Sequence, residues 1–263
     1  MATAKDIRVA PISAKDAADL VRRVHYSGKV VQNSQLHFGV FLDGRLEGAM
    51  QFGPSLDKRK IQGLVRDTGW NNFIELNRMA FSDRLPRNSE SRALGVAFRL
   101  IRKHYPHIEW VISFADGTQC GDGTIYRASG FVLTDCRKNK DIIVTNEGKI
   151  THTIAQKTGS NKLQHLALTK GASRYEGKPL DGYQLRYIYF LNPAARDRLS
   201  VPIIPFSRID EIGAGMYRGE KIKRGKEQAP GHPSGLGGAI PTTTLQASEA
   251  GRSRATGNAA VRH

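Results

Sequence analysis

The stretch from Phe73 to Ala115 most narrows the folds open to this chain. Two apolar runs, FIELNRMAF (73–81) and IEWVISFA (108–115), enclose an amphipathic segment long enough for a multi-turn helix. Asn88, Ser89, Glu90 and Ser91 supply N-cap residues and an early acidic group, and Pro106 ends the helix after His104. Within it Leu94, Ala97, Phe98, Ile101 and Tyr105 recur at helical spacing and should face a sheet, with Arg92, Arg99 and Lys103 on the outer side. The run 108–115 reads as a buried central strand. Strand, helix and strand in this order point to an α/β architecture.

The flanking sequence extends the pattern. Ile7 to Ile12 reads as a strand, Ser13 as the N-cap of a helix from Ala14 to about Val24, and Gly28 as its terminator, with His25 and Tyr26 at the helix end. Leu36 to Leu42, Asp43-Gly44 and Arg45 to Phe52 predict a β-hairpin, because Asp-Gly supplies the positive φ angles of a tight primed turn. Gly123 to Ser129 predicts a short helix and Phe131 to Leu133 a strand. A late strand follows over Tyr183 to Leu191, with Tyr183, Leu185, Tyr187 and Tyr189 on one face. The order β-α-β-β-β-α-β-α-β gives a mixed central sheet flanked by helices. After about residue 210 the composition shifts to Gly, Ala, Ser, Thr and Pro. The expected organisation is one folded domain over 1–210 and a basic, disordered tail over 211–263.

Charge narrows the partner. The chain carries a net +16, and residues 1–212 alone hold 32 Lys and Arg against 21 Asp and Glu, so the folded part is itself basic. A field of that sign attracts polyanions, nucleic acid first among them, although solubility is the bland alternative. No apolar run reaches the roughly 18 to 20 residues of a membrane-spanning helix, and MATAKDIRVA lacks the apolar core of a signal peptide, so no membrane partner is expected. Two widely spaced cysteines, Cys120 and Cys136, suit free thiols better than a zinc knuckle or a disulfide framework.

Chemistry concentrates in SFADGTQCGDGTIYRASGF. Three glycines, Gly117, Gly121 and Gly123, form a loop between a strand and a helix, where α/β proteins place ligand groups. Asp116 and Asp122 can orient a polar substrate, accept a proton or join a metal site, or they are turn and cap residues. Tyr126 can act as a general acid or as a stacking surface for a flipped base, or simply pack. His25 and Tyr26, with a carboxylate such as Asp116, have the ligand types of a metal site, against the commoner reading of a packed helix end. Arg78, inside a strand, calls for an anion; a carboxylate such as Glu75 or Glu90 is the structural choice. The helix start at Asn88–Ser91 presents backbone N–H groups to a phosphate, or is merely capped.

Taken together, FIELNRMAFSD, PRNSESRALGVAFRLIRKHYPHIEW and VISFADGTQCGDGTIYRASGF resemble the Mom family of phage DNA-modification proteins. The resemblance spans roughly residues 5 to 195 and is densest over 73–133. It implies a fold similar to the GNAT acetyltransferases and conversion of adenine to N6-methylcarbamoyl adenine in double-stranded DNA, protecting it from restriction enzymes. The setting it implies is the cytoplasm of a bacterial host, and a homodimer is compatible with it. Positions matching the family pattern are His25 and Tyr26 of HYSG, Arg78 of LNRM, Ser91 of NSES, Asp116 of FADG and Tyr126 of TIYRASGF. Arg78 and Ser91 are the expected cofactor or substrate anchors, and the other four the reaction centre. Iron held by His25, Tyr26 and Asp116 is implied by the family. The group donor is expected to be acetyl-CoA or another acyl carrier, though a methylcarbamoyl transfer is not an ordinary acyl transfer. The competing reading on the same fold is a coenzyme A-dependent N-acetyltransferase acting on a small molecule, protein or RNA. A third, a non-enzymatic DNA-binding protein, leaves the Asp116–Tyr126 loop without a task.

Overall fold

The protein is described from a computed structural model over residues 2–153, 177–217 and 219–222. Strands β1 (Arg8–Pro11), β2 (Leu36–Leu42), β3 (Arg45–Gly53), β4 (Phe73–Phe81), β5 (Trp110–Gly117), β6 (Val132–Lys138) and β10 (Tyr183–Phe190) form a seven-stranded sheet in the order β1-β2-β3-β4-β5-β10-β6. Every neighbouring pair is antiparallel except β4 and β5, which run parallel because helix α3 (Ser89–His104) crosses between them. The mixed sheet flanked by helices is therefore as the sequence predicts. A three-stranded sheet of β7 (Ile142–Val144), β8 (Ile150–His152) and β9 (Lys178–Pro179) was not foreseen.

Side chains alternate across the sheet. On one face α3 buries Leu94, Ala97, Phe98 and Ile101 against Phe52, Val111, Leu133, Leu185 and Tyr187, with the Phe98 ring stacked on Tyr189 at 4.2 Å. The other face carries helix α1 (Ala14–Val24), whose Ala17 and Leu20 pack on Ala49, and a second cluster in which Trp110 stacks on Phe73 at 4.6 Å. Trp110 satisfies its indole N–H on Thr68 Oγ1 at 3.2 Å, as a buried polar handle requires. The hairpin turn has Asp43 at φ 49° and Gly44 at φ 75°, the positive angles its Asp-Gly pair predicts.

One local irregularity shapes the site. Across β3 and β4, Gln51 pairs with Arg78 and Phe52 with Leu76, so Asn77 is an extra, bulged residue that bends β4. Parallel pairing of β4 with β5 stops at Glu75 opposite Ile112. Beyond it the pairing stops, and among the described residues no strand fills the facing backbone edges at their carboxyl ends. In α/β sheets this is the region where ligands bind.

The ordered chain runs past the expected boundary at 210. Helices α2 (Lys58–Gln62) and α4 (Thr124–Ala128) lie within the domain, α5 (Ser207–Glu211) straddles that boundary, and strands β11 (Met216–Tyr217) and β12 (Glu220–Lys221) pair beyond it. Ala214 and Met216 are buried, and Asp122 N donates to Met216 O at 2.9 Å, so the glycine-rich loop rests on this hairpin. Short apolar residues spaced among glycines gave no periodic signal. The expected disorder of the remaining tail, 223–263, lies outside the described residues.

Candidate active site

Helix α1 stops at Val24 because His25 turns extended (ψ 135°) and Gly28 takes φ 59°, its N–H bonding His25 O at 2.8 Å. This turn carries Tyr26 to Asp116 at the end of β5, with the Tyr26 hydroxyl donating to Asp116 Oδ2 at 3.3 Å across 90 residues of sequence. The His25 and Tyr26 rings lie 4.4 Å apart, and Ser27 Oγ sits 2.9 Å from His25 Nδ1.

Asp116 organises the loop that follows it. Its backbone oxygen accepts from the amides of Gln119, Cys120 and Gly121, while Oδ1 accepts from Thr118 N at 3.0 Å, Thr118 Oγ1 at 2.5 Å and Gln184 Nε2 at 2.9 Å. Oδ2 takes the Tyr26 hydroxyl and Gln119 Nε2 at 3.4 Å. The rest of the loop is locked onto β10. Asp122, its side chain fully buried, pairs with Arg127 at 2.9 Å, and the Tyr187 hydroxyl donates to Asp122 O. Asp122 is thus a structural anchor. Gly123 sits at φ 83° where a Cβ would overlap the Tyr187 ring. A Gly123→Ala variant should lose about 2–5 kcal/mol, from left-handed backbone strain plus overpacking, and thermal unfolding will read it as a lowered Tm.

Arg78 reaches into the same region from the bent part of β4. Its Nε donates to Lys29 O at 2.9 Å and Nη1 to Asn77 O at 2.7 Å, so backbone carbonyls fix the guanidinium. Among the described residues no carboxylate lies at ion-pair distance from it, and the expected Glu75 or Glu90 partner is replaced by these carbonyls. Its positive charge nonetheless acts on His25, Tyr26, Glu75 and Tyr126. Burial, reinforced by Arg78, holds the His25 imidazole down to about 4, neutral at physiological pH. Tyr26 is pushed above the ordinary phenol range by burial of its hydroxyl end and by the Asp116 carboxylate. Tyr126 is pushed up to about 12, chiefly by burial, with the nearby Ser113 hydroxyl acting against the rise.

His25 makes a pH prediction. Its folded pKa lies below the ordinary value of 6.5, so the unfolded chain binds the extra proton between pH 6.5 and about 4. The stability this group contributes is complete above pH 6.5 and falls as the pH drops through that window. Thermal midpoints measured from pH 7 to 4 should decline more steeply in the wild type than in His25→Asn.

Five of the six sequence-selected residues thus converge: His25, Tyr26, Arg78, Asp116 and Tyr126. Ser91 stands apart in its bonding, donating to Asn88 O at 3.2 Å within the first turn of α3. That helix begins at the end toward which β4 and β5 open. Asn88 adopts φ 67° and provides no side-chain cap, contrary to the capping its sequence suggests. Two further expectations are corrected. Tyr126 is not a free stacking surface, because its ring packs 5.2 Å from both Phe131 and Tyr187. The His25–Tyr26–Asp116 metal set does not fit as arranged: the Tyr26 hydroxyl keeps its proton toward Asp116 Oδ2, His25 Nδ1 is engaged by Ser27 Oγ, and the Arg78 charge lies close by. Among the described residues no group of three or more His, Cys, Asp or Glu is placed to hold a metal ion.

Sequence reasoning missed Gln184, which joins Asp116 through the β5–β10 register. It considered Glu75 solely as a partner for Arg78, whereas its carboxyl, pushed up by burial, stands at the point where β4 and β5 part. Neither cysteine is poised as a thiolate. Burial raises both, and Cys136 reaches about 11.

The profile of the Mom protein family matches residues 6–208. The chain belongs to the Mom family. A curated relative, "Methylcarbamoylase mom" of Escherichia phage Mu, is 38% identical over 204 residues, covering 76% of this chain and 81% of that protein. Solved structures with a similar course include NAA60 of Arabidopsis thaliana in complex with a bisubstrate analogue (12% identity, TM-score 0.42, 70% of this chain and 97% of that one). The ribosomal-protein-S18-alanine N-acetyltransferase of Escherichia coli matches at 11% identity and TM-score 0.39, over 71% and 94% of the two chains. A GNAT family acetyltransferase of Elizabethkingia anophelis with acetyl-CoA bound matches at 11% and 0.37, over 70% and 98%. Among the described residues of this Mom protein no helix is long and apolar enough to cross a membrane.

Proposed function

We propose that this Mom protein is a transferase that converts adenine to N6-methylcarbamoyl adenine in double-stranded DNA. The observation that carries the reading is the Tyr26–Asp116 contact, which joins a helix end to a strand end beside Arg78 and Tyr126 where β4 and β5 part. Family membership supports the substrate class, and the basic folded domain suits a polyanion.

The exocyclic amine of adenine is conjugated with its ring and a weak nucleophile, so it must lose a proton as the new bond to nitrogen forms. Asp116 is the acceptor, reached directly or through the Tyr26 hydroxyl that faces it. Neutral His25, its ring tilted against that of Tyr26, keeps it in place without adding a cation. Tyr126, protonated well above neutral pH, is the donor for the leaving group. Arg78 offsets negative charge that develops between them, fixed in advance by its carbonyl partners. The parted edges of β4 and β5 suit an extended, amide-bearing carrier, which would supply an activated methylcarbamoyl group: N6 bonds to its carbonyl carbon as the carrier departs with the Tyr126 proton. Ser91 and the first-turn amides of α3 are the anchors for its anionic end.

Protection from restriction tests the reading. Plasmid DNA from bacteria expressing the protein should resist endonucleases whose sites contain adenine, while DNA from vector-only cells is cut. Complete cutting in both, with soluble protein confirmed, counts against DNA as the substrate.

A further inference from the structure

Strand β5 has the composition of a fully buried central strand, yet one position is open. Trp110 and Ile112 are 0% exposed on the α1 side of the sheet, whereas Phe114, next on that face, is 40% exposed, and Asp116 follows it. Alternation along the strand puts Phe114 and Asp116 on one face, about 7 Å apart. Scattered surface aromatics are ordinary, but an exposed phenylalanine inside a seven-stranded sheet, between a packed core and a reactive carboxylate, is a different matter. Tyr26 borders the same opening with 51% of its surface exposed and its hydroxyl on Asp116.

On the β10 side of this ring the sheet carries two arginines, with the Asp135 carboxylate of β6 opposite the nearer one. Arg186 pairs with Phe114 across β10, and its guanidinium is steadied by Thr134 Oγ1 at 3.0 Å and Thr134 O at 3.1 Å. In the next row Gln184 lies opposite Asp116 and Arg137 opposite Gln184. Arg137 pairs with Asp141 at 3.1 Å, but that pair is solvent-exposed, so a phosphate can replace the carboxylate at little cost. An aromatic face with arginines beside it is the combination that holds an unstacked base and its backbone.

Resting on the DNA-modification reading above, we infer that Phe114 is the platform on which the extrahelical adenine stacks, presenting its amine edge to Asp116, while Arg186 and Arg137 face the flanking phosphates. An adenine-modifying enzyme must take its base out of the duplex, and Tyr126 is too enclosed to receive it.

The test is the initial rate of adenine modification, read by nucleoside mass spectrometry of plasmid DNA after induction, in wild type, Phe114→Ala and Phe114→Trp at matched soluble levels. Loss of one base–aromatic stack should slow Phe114→Ala roughly 5- to 150-fold, with Phe114→Trp recovering most of the rate. Because the ring is exposed, thermal unfolding of the alanine variant should match wild type. A wild type that makes modified adenine alongside a Phe114→Ala variant within twofold of it overturns the platform and leaves the enzyme reading intact. Failure of Phe114→Trp to recover more than Phe114→Ala also overturns it. A wild type that makes no modified adenine removes the underlying reading instead.

Discussion

Asp116→Ala should abolish adenine modification, with a loss of about 1,000-fold or more, since a positioned proton acceptor contributes roughly 100- to 10,000-fold. Asp116→Asn should fall nearly as far. The amide keeps the size of the carboxylate, but its NH2 group must meet the Tyr26 and Gln119 donors or the Thr118 and Gln184 donors. Stability should change far less than activity. The turn after β5 is held by the Asp116 backbone oxygen, which both variants retain, so the cost should be about 1–3 kcal/mol, as for lost hydrogen bonds. Steady-state soluble protein and a thermal melt separate the two effects. A variant that keeps half of the wild-type modification would remove Asp116 from the reaction.

Tyr126→Phe should lose about 100-fold in modification rate with little change in Tm. The ring, packed between Phe131 and Tyr187, is retained, and the substitution removes the hydroxyl alone. Because that hydroxyl is held up to about 12, it stays protonated across the physiological range. The wild-type rate should therefore show no alkaline loss attributable to Tyr126 below that value. Tyr126→Leu, in contrast, should lower Tm as well, because it empties part of an aromatic cluster. A hydroxyl deletion with full activity would leave Tyr126 a packing residue alone.

Much of the fold was readable because its elements carry local signals. Ser13 caps α1 as expected, its Oγ accepting from Asp16 N, and the Asp-Gly turn and the helix over 89–104 follow from capping and periodicity. The face of β10 bearing Tyr183, Leu185, Tyr187 and Tyr189 packs inward as its alternation predicts. What the sequence conceals is register. Nothing in FIELNRMAF marks Asn77 as the bulged residue, yet that bulge bends the strand carrying Arg78. Nothing in YQLRYIYFL ties Gln184 to Asp116, since the pairing of β10 with β5 is decided by contacts far apart in the chain.

The site was legible through the family pattern more than through physics. Asp116 stood out because it opens a glycine-rich loop after an apolar strand. His25 and Tyr26 had no local feature to raise them above a packed helix terminus, and what unites them with Asp116 is the sharp end of α1 at Gly28. The metal reading followed ligand types and finds no support, because the Tyr26 hydroxyl keeps its proton toward Asp116 and His25 Nδ1 is engaged by Ser27. Phe114 was hidden for the opposite reason. An aromatic in an apolar run reads as core, and exposure depends on which helices cover the face above it.

Mass spectrometry of nucleosides from plasmid DNA, recovered from bacteria expressing either the wild type or Asp116→Ala, tests the central claim most directly. The wild type should yield an adenosine species heavier by one methylcarbamoyl group, absent from the variant. Unmodified adenine in both, or an acetyl mass in its place, would contradict it.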